Sequence, residues 1–417
     1  MTMTAEAERA TVDEQVARAG TCEIAVVFMT YNNADTLPAV LATTARGLNE
    51  RFNGASVAYV AADAGSSDGT PDLVAAVGAR SVVVTHEPPL GERVAVPFHG
   101  VPGRGAALRG AFAATKRLGA RAVLLLEPDL VSLAPDWIDR LLTPVWEEKA
   151  DFVAAAYARH RFDGTITNLL VAPLVRALYG RRVRQPLGGQ QALSGRLVDH
   201  LLLNPKWDWA GRELADVWIL GTAIADGFSV WEAWLGPRAI RSRTRTSDLP
   251  AMVSQTLGGV LAVMDRHDDL WREVRGSEPL PAVGDPRLPG IEPREVDVDR
   301  MASAFRLGLR DLTPVWEHVL APETLGDVLS LEAADLRDFR FPDDLWARIV
   351  YDFALGHHYA VIHREHLLRS LVPLYLGRTA AYVLAMRGRS AAASEEAAEN
   401  VARAFERQKS YLVERWT

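Results

Sequence analysis

Five consecutive apolar residues, Ala122-Val123-Leu124-Leu125-Leu126, end in Glu127-Pro128-Asp129. A run this short, with no polar member, reads as a strand covered on both faces, which is how the middle of a mostly parallel sheet is built. Ligands of open α/β sheets bind just beyond the carboxyl ends of their strands. Two carboxylates there are placed to hold a divalent cation against a diphosphate, and Pro128 stiffens the turn between them. All-oxygen ligands select Mg²⁺ or Mn²⁺ over zinc. Turns with two acids are also common on plain surfaces, so this corner needs its context.

The context is an alternation of strands and helices. Ile24–Met29, Ser56–Ala62 and Arg80–Thr85 read as strands. Thr36–Leu48, Pro71–Val77 and Gly105–Leu118 read as helices. Short connections between such units predict a doubly wound parallel sheet. After Asp151 the pattern mixes: a strand at Phe152–Tyr157, a helix at Ile166–Tyr179, a glycine-containing loop at 184–190, a helix at Glu213–Ala225 and a strand at Ser229–Leu235. Helical spacing dominates beyond Asp248, interrupted by a Pro/Gly-rich loop from Gly276 to Pro293. The division expected is a flexible tail at 1–20, an α/β domain at 21–245 and a mainly helical domain at 246–417.

The 417 residues suffice for two full cores. A formal charge of −7 argues against nucleic acid as the main partner. The one cysteine, Cys22, excludes an internal disulfide and suits a reducing cytoplasm. Residues 1–20 lack the apolar core of a signal peptide, and no run approaches the roughly 18 apolar residues of a membrane span.

Two further motifs sit at strand ends. Asp63-Ala64-Gly65-Ser66-Ser67-Asp68-Gly69-Thr70 follows the second strand, where an acid can accept hydrogen bonds from a base or ribose and glycines permit tight turns. A turn followed by a helix cap gives the same pattern. Pro102-Gly103-Arg104-Gly105 precedes a helix whose N-terminus favours anions, with Arg104 offering a fork of donors to a diphosphate. Its glycine spacing fails the dinucleotide fingerprint G-x-G-x-x-G. The histidines, among them His86, His99, His160, His267, His357 and His358, show no metal-ligand spacing.

Strand then Thr30-Tyr31-Asn32-Asn33, strand then the Asp63 motif, glycine loop, strand then acidic corner: this order resembles the GT-A nucleotide-sugar transferases of the large family 2-like clan. Gly164-Thr165-Ile166-Thr167-Asn168-Leu169-Leu170, Gln185-Pro186-Leu187-Gly188-Gly189 and Leu133-Ala134-Pro135-Asp136-Trp137-Ile138 narrow it. They resemble the retaining synthases of mannosylglycerate, glucosylglycerate and glucosyl-3-phosphoglycerate, over about residues 22–380.

That resemblance implies a site. Thr30 and Asn33 would lie against the base, Asp63 against base or ribose, and Arg104 and Glu127 would bind the donor. Asp129 is implied as the metal ligand, with Glu127 beside it. Gly164, Thr165 and Thr167 would bind the acceptor, together with Gly188 and Gly189. Asp216 would face the acceptor, and Gln190 the donor sugar. The family's usual residues differ at several points: lysine for Arg104, aspartate for Glu127, glutamate for Gln190, and a basic residue for Thr165. The histidine that completes the family's metal site has no counterpart in Gly236–Arg243.

The expectation is therefore weak or absent dependence on Mg²⁺ or Mn²⁺, with Arg238, Arg241, Arg243 and Arg245 stabilising the leaving diphosphate; a solvated basic loop reads the same way. An uncharged Thr165 points to an unphosphorylated acceptor such as D-glycerate, while Arg159 and Arg161 lie near enough in sequence to serve a phosphate. The implied reaction transfers a hexosyl group from UDP-glucose or GDP-mannose to a small hydroxy acid with retention, making a compatible solute, in a cytoplasmic homodimer. Two other readings stay open: a transferase of the same fold with another small acceptor, and an inactive nucleotide-sugar-binding protein.

Overall fold

The computed structural model describes residues 11–86, 100–204, 207, 215–240, 249–286, 296–331 and 339–417. The chain divides into two compact units, each assembled from several segments. The first comprises Met1–Val153, Gly189–Arg212 and Ala239–Arg243, the second Ala154–Gly188, Glu213–Arg238 and Thr244–Thr417. In chain order the strands are β1 (Ile24–Thr30), β2 (Val57–Asp63), β3 (Ser81–Thr85), β4 (Ala122–Leu126), β5 (Phe152–Ala158), β6 (Arg181–Arg182), β7 (Gln191–Ser194), β8 (Val230–Pro237), β9 (Glu278–Pro279) and β10 (Ala282–Val283).

The first unit is α/β. Its strands run in the order β7-β4-β1-β2-β3. β1 pairs in parallel with β2 and with β4, β2 pairs in parallel with β3, and only β7 is antiparallel, against β4. Every residue of β1 and β4 is buried, as a strand covered on both faces demands. The mostly parallel sheet agrees with the GT-A expectation. In the second unit β10, β8 and β5 lie in that order, and β6 pairs with β9. Helices dominate thereafter: Val298–Val319, Pro322–Ser330, Asp343–His358, Arg364–Met386, Ala391–Arg407 and Lys409–Arg415. Fully buried Trp271, Trp316, Trp346 and Trp416 lie in this helical part, and the Trp316 indole N–H donates to the Ser370 carbonyl at 3.1 Å. Among the described residues no helix is long and apolar enough to cross a membrane.

Part of the segment read as a tail is ordered on the sheet. Val12–Ala19 is a helix opened by a capping box between Thr11 and Glu14. Its Gln15 amide acts as a neighbour to the edge strand β3: the Val83 N–H donates to Gln15 Oε1 at 2.7 Å, and Gln15 Nε2 donates to the Val83 carbonyl at 3.4 Å. An edge strand otherwise presents a row of unpaired backbone groups. Gln15→Ala leaves the buried Val83 N–H unsatisfied, so chemical denaturation should show a loss of about 1–3 kcal/mol; an unchanged stability would mean water replaces the amide freely.

The expected helix at Ile166–Tyr179 begins instead as a π-helical turn, Thr167–Val171, continued by an α-helix, Ala172–Tyr179. Pro173 has no N–H for the Leu169 carbonyl, four residues back. That carbonyl accepts from the Trp346 indole at 2.6 Å, and the Ala172 N–H donates to Thr167 five residues back. Such widened turns concentrate at functional sites.

β8 buries an acid. Glu232 is 6% exposed and Oε1 accepts the Arg184 N–H at 2.5 Å. Burial outweighs that bond and the nearby Arg184 charge, lifting its pKa to about 7. Between its unfolded value near 4.5 and 7 the native state binds the extra proton, so stability is greatest below that window and falls as pH rises through it. The change amounts to about 3 kcal/mol. Thermal melts at successive pH values should show this decline, and Glu232→Gln should flatten it.

Candidate functional site

The tips of β1, β2 and β4 are level. Thr30 pairs with Asp63, and Phe28 pairs with Leu126. Continuing that register sets Glu127 beside Met29. The three strands thus deliver Thr30, Asp63 and the Glu127-Pro128-Asp129 corner to one end of the sheet.

Asp63 is 1% exposed, and its carboxylate organises the loop that follows it. Oδ1 accepts from the Thr30 hydroxyl at 2.8 Å and the Ser66 hydroxyl at 2.6 Å. Oδ2 accepts from the backbone N–H groups of Gly65 at 3.1 Å and Ser66 at 2.8 Å. These four contacts match the roughly four acceptor positions of a carboxylate. The Asp63 loop is in turn stitched to the segment after β1. The Asn32 N–H donates to Ser66 Oγ and the Ser67 N–H to Asn32 Oδ1, both at 2.8 Å. The Asn33 N–H donates to Thr70 Oγ1 at 2.7 Å, and the Ala34 N–H to Asp68 Oδ2 at 2.9 Å. Burial raises the Asp68 pKa, but hydrogen bonds from the Thr70 hydroxyl and the amides of Ala34 and Thr70 outweigh it, leaving it below the usual carboxylate range.

Asn32, Ser66, Asp68 and Thr70 had no role in the sequence reading. The available signal was Asn32 followed by a second asparagine, since asparagine tolerates the left-handed backbone seen at its φ of 53°. Asn33 is buried, and its Oδ1 accepts the Tyr31 N–H at 2.7 Å, so its amide is turned into its own loop.

At the acidic corner, Gln190 is fully buried, and Nε2 donates to Glu127 Oε2 at 2.9 Å. The antiparallel pairing of Leu125 with Gln191 brings them together. Gly189, at φ +86°, lets the backbone pass Glu127: a Cβ there would stand 2.4 Å from Oε1. Asp129 lies two residues on and is more accessible than Glu127. Arg104 opens the helix Arg104–Arg117, behind Gly103 at φ +60°. Its position at the positive end of a helix suits an anion.

The second unit carries the other predicted residues. Gly164 has φ +69°, and a Cβ on it would lie 2.9 Å from Arg159 Nη1, so the guanidinium rests against this glycine. The Thr165 hydroxyl shares a hydrogen bond with the Tyr375 hydroxyl at 2.6 Å. Thr167 is buried at the head of the π turn. Gly188 passes the Ala155 carbonyl, which a Cβ would approach to 2.6 Å. Asp216 is fully buried in the first turn of the helix Ala215–Ala225, where the backbone dipole favours an acid. Tyr157, itself buried, has two cations near its ring: the Arg238 guanidinium at 5.5 Å and that of Arg159 at 5.9 Å. Arg241, Arg243, Arg245 and His99 lie outside the described residues.

Among the described residues no three His, Cys, Asp or Glu side chains group as a metal site. Glu127 is buried and engaged by Gln190, so a cation at this corner would rest on the more accessible Asp129 and take its other ligands from water and diphosphate oxygens, as Mg²⁺ does. Burial pushes the Cys22 thiol up to about 11, which makes it a poor nucleophile.

No protein-family model and no curated protein matches this chain. Solved structures do. Glucosyl-3-phosphoglycerate synthase from Mycobacterium tuberculosis in complex with phosphoglyceric acid is 26% identical, over 62% of this chain and 84% of that one, with a TM-score of 0.43. Its complex with Mn²⁺, uridine diphosphate and glucosyl-3-phosphoglycerate is 27% identical, over 62% and 86%, at 0.42. Mannosyl-3-phosphoglycerate synthase from Rubrobacter xylanophilus is 21% identical, over 67% and 82%, at 0.42.

Proposed function

We propose that this chain is a glycosyltransferase whose first unit binds a nucleoside diphosphate sugar and whose second unit binds a small hydroxy acid. The observation that supports it most is the level arrangement of Thr30, Asp63 and the Glu127–Asp129 corner at the carboxyl ends of three parallel strands, the place where α/β sheets bind nucleotides. In this reading Asp63 acts through the loop it holds, presenting Asn32 and the Ser66 turn to the base and ribose. Arg104 and the helix behind it would take diphosphate oxygens.

Asp129 is the proposed cation ligand, with Glu127 kept in place by Gln190. A bound divalent cation would supply charge neutralisation for the departing diphosphate. Dependence on the cation is proposed to be weak because the sequence offers Arg238 and the arginines after it as an alternative source of positive charge for the diphosphate. Titrating Mn²⁺ with and without nucleotide tests this, and tight binding of nucleotide only with the metal would refute it.

On the acceptor side, the Arg159 guanidinium against Gly164 offers a partner for a carboxylate. Thr165 is engaged by Tyr375 and brings no charge, which favours D-glycerate over its phosphate. The acceptor hydroxyl oxygen would bond to the anomeric carbon as the bond to the diphosphate breaks, and the leaving oxygen would take the hydroxyl proton. Gln190, an amide, offers no nucleophile for a covalent intermediate, so retention would follow from attack on the face the leaving group vacates. Asp216 would orient the acceptor. Initial rates with UDP- and GDP-sugars, each offered D-glycerate and 3-phosphoglycerate, test the assignment. Product from at least one donor, faster with glycerate, is expected; no turnover of any donor would leave a nucleotide-binding protein without catalysis.

A further inference from the structure

The second unit contains a cavity of about 220 Å³ that opens to solvent. By the liquid volume of water that is about seven molecules, enough for one hexose or glycerol. Trp234, Pro173 and Ala398 give it apolar surface. Arg176, Arg182, Arg184 and Glu232 give it polar surface.

Two of the three guanidiniums there are held by carboxylates. Arg176 gives Nη1 to Glu399 at 2.6 Å, Nη2 to Glu406 at 2.8 Å and Nε to the Ser277 hydroxyl at 3.0 Å. Arg184 takes Glu395 in a fork at 2.9 and 2.8 Å and gives Nη1 to Asn168 at 2.7 Å. Arg182, which also lines the cavity, gives Nε to the Ser277 hydroxyl at 3.1 Å. Three guanidiniums beside three carboxylates leave no net positive charge to draw a phosphate or carboxylate. Trp234 thus shares the cavity lining with planar groups whose lone pairs and N–H bonds are held in place by their partners. That combination takes the apolar face of a pyranose ring and hydrogen-bonds its hydroxyls. Glu232, held near neutrality by burial, can both donate and accept there.

We infer that this cavity, bounded by Trp234, Glu232, Arg184 and Pro173, is a binding site for a neutral monosaccharide or polyol. The site does not depend on the transferase reading, and its test uses no nucleotide. D-glucose and glycerol, titrated into the full chain by calorimetry and ligand-observed NMR, should bind with a Kd on the order of 1 mM, the affinity a ligand this small can reach. Ala398→Phe fills the cavity without removing a polar group, and Trp234→Ala removes the partly buried ring. Each should weaken binding by about tenfold or more, with unchanged melting confirming that the variant folds. No saturable binding of either probe, wild-type affinity in a folded Ala398→Phe, or displacement of the sugar by inorganic phosphate would overturn the assignment.

Discussion

Asp63→Ala is expected to lose about 3–5 kcal/mol of folding stability and, under conditions where it stays folded, to lose nucleotide binding. The carboxylate is buried and accepts four hydrogen bonds, two from hydroxyls and two from backbone amides. Hydrogen bonds to a charged group contribute about 1.5–3 kcal/mol each, and their loss strands buried donors. Bonds that share one acceptor group are not additive, which keeps the total in the stated range. Asp63→Asn should fall between alanine and wild type. Its remaining oxygen can still accept from Thr30 and Ser66, but an amide nitrogen cannot accept from the Gly65 and Ser66 N–H groups. Urea denaturation, read as a change in midpoint at constant slope, measures the effect. A loss below about 1 kcal/mol for the alanine variant would show that the loop stands without its acid.

The second large effect is expected at Gly189→Ala. The backbone there is left-handed at φ +86°, which costs an L-residue about 1–2 kcal/mol before any contact is considered. The new Cβ would also meet Glu127, 2.4 Å from Oε1 and 2.6 Å from Cδ. Glu127 is 8% exposed and held by Gln190, so it has little room to yield. Displacing it exposes or strands the Gln190 amide, for a total of about 3 kcal/mol or more. A double-mutant cycle isolates the clash: Gly189→Ala in a Glu127→Ala background should recover the steric part and leave only the backbone cost. Equal penalties in both backgrounds would place the strain in the backbone alone.

The sheet was legible because its strands are short and apolar. β1 and β4 could be nothing but buried strands, and a parallel register then fixes their acidic tips at one end. The resemblance supplied names for residues at those tips, but not what each touches. The resemblance implies that Gln190 faces a sugar; the fold adds that its amide donates to Glu127, a contact that depends on the antiparallel β7. That strand, Gln191–Ser194, is too short and too polar for periodicity to reveal. The Gln15 bridge to β3 is one side chain standing in for a strand, and nothing in the local pattern around Gln15 announces it. The π turn at Thr167–Val171 traces to Pro173, visible in the sequence, but its resolution needs Trp346, 173 positions further on by number, to take the released carbonyl. The segments Ala154–Gly188 and Gly189–Arg212 belong to different compact units, a division set by long-range packing and invisible to composition.

Calorimetric titration of UDP and GDP into the full chain tests the central claim most directly. The account predicts saturable binding of at least one of them with a Kd in the micromolar range, retained at least in part without added Mn²⁺ and abolished in a folded Asp63→Ala variant. Failure of both nucleotides to bind at millimolar concentration, with and without Mn²⁺, would contradict it.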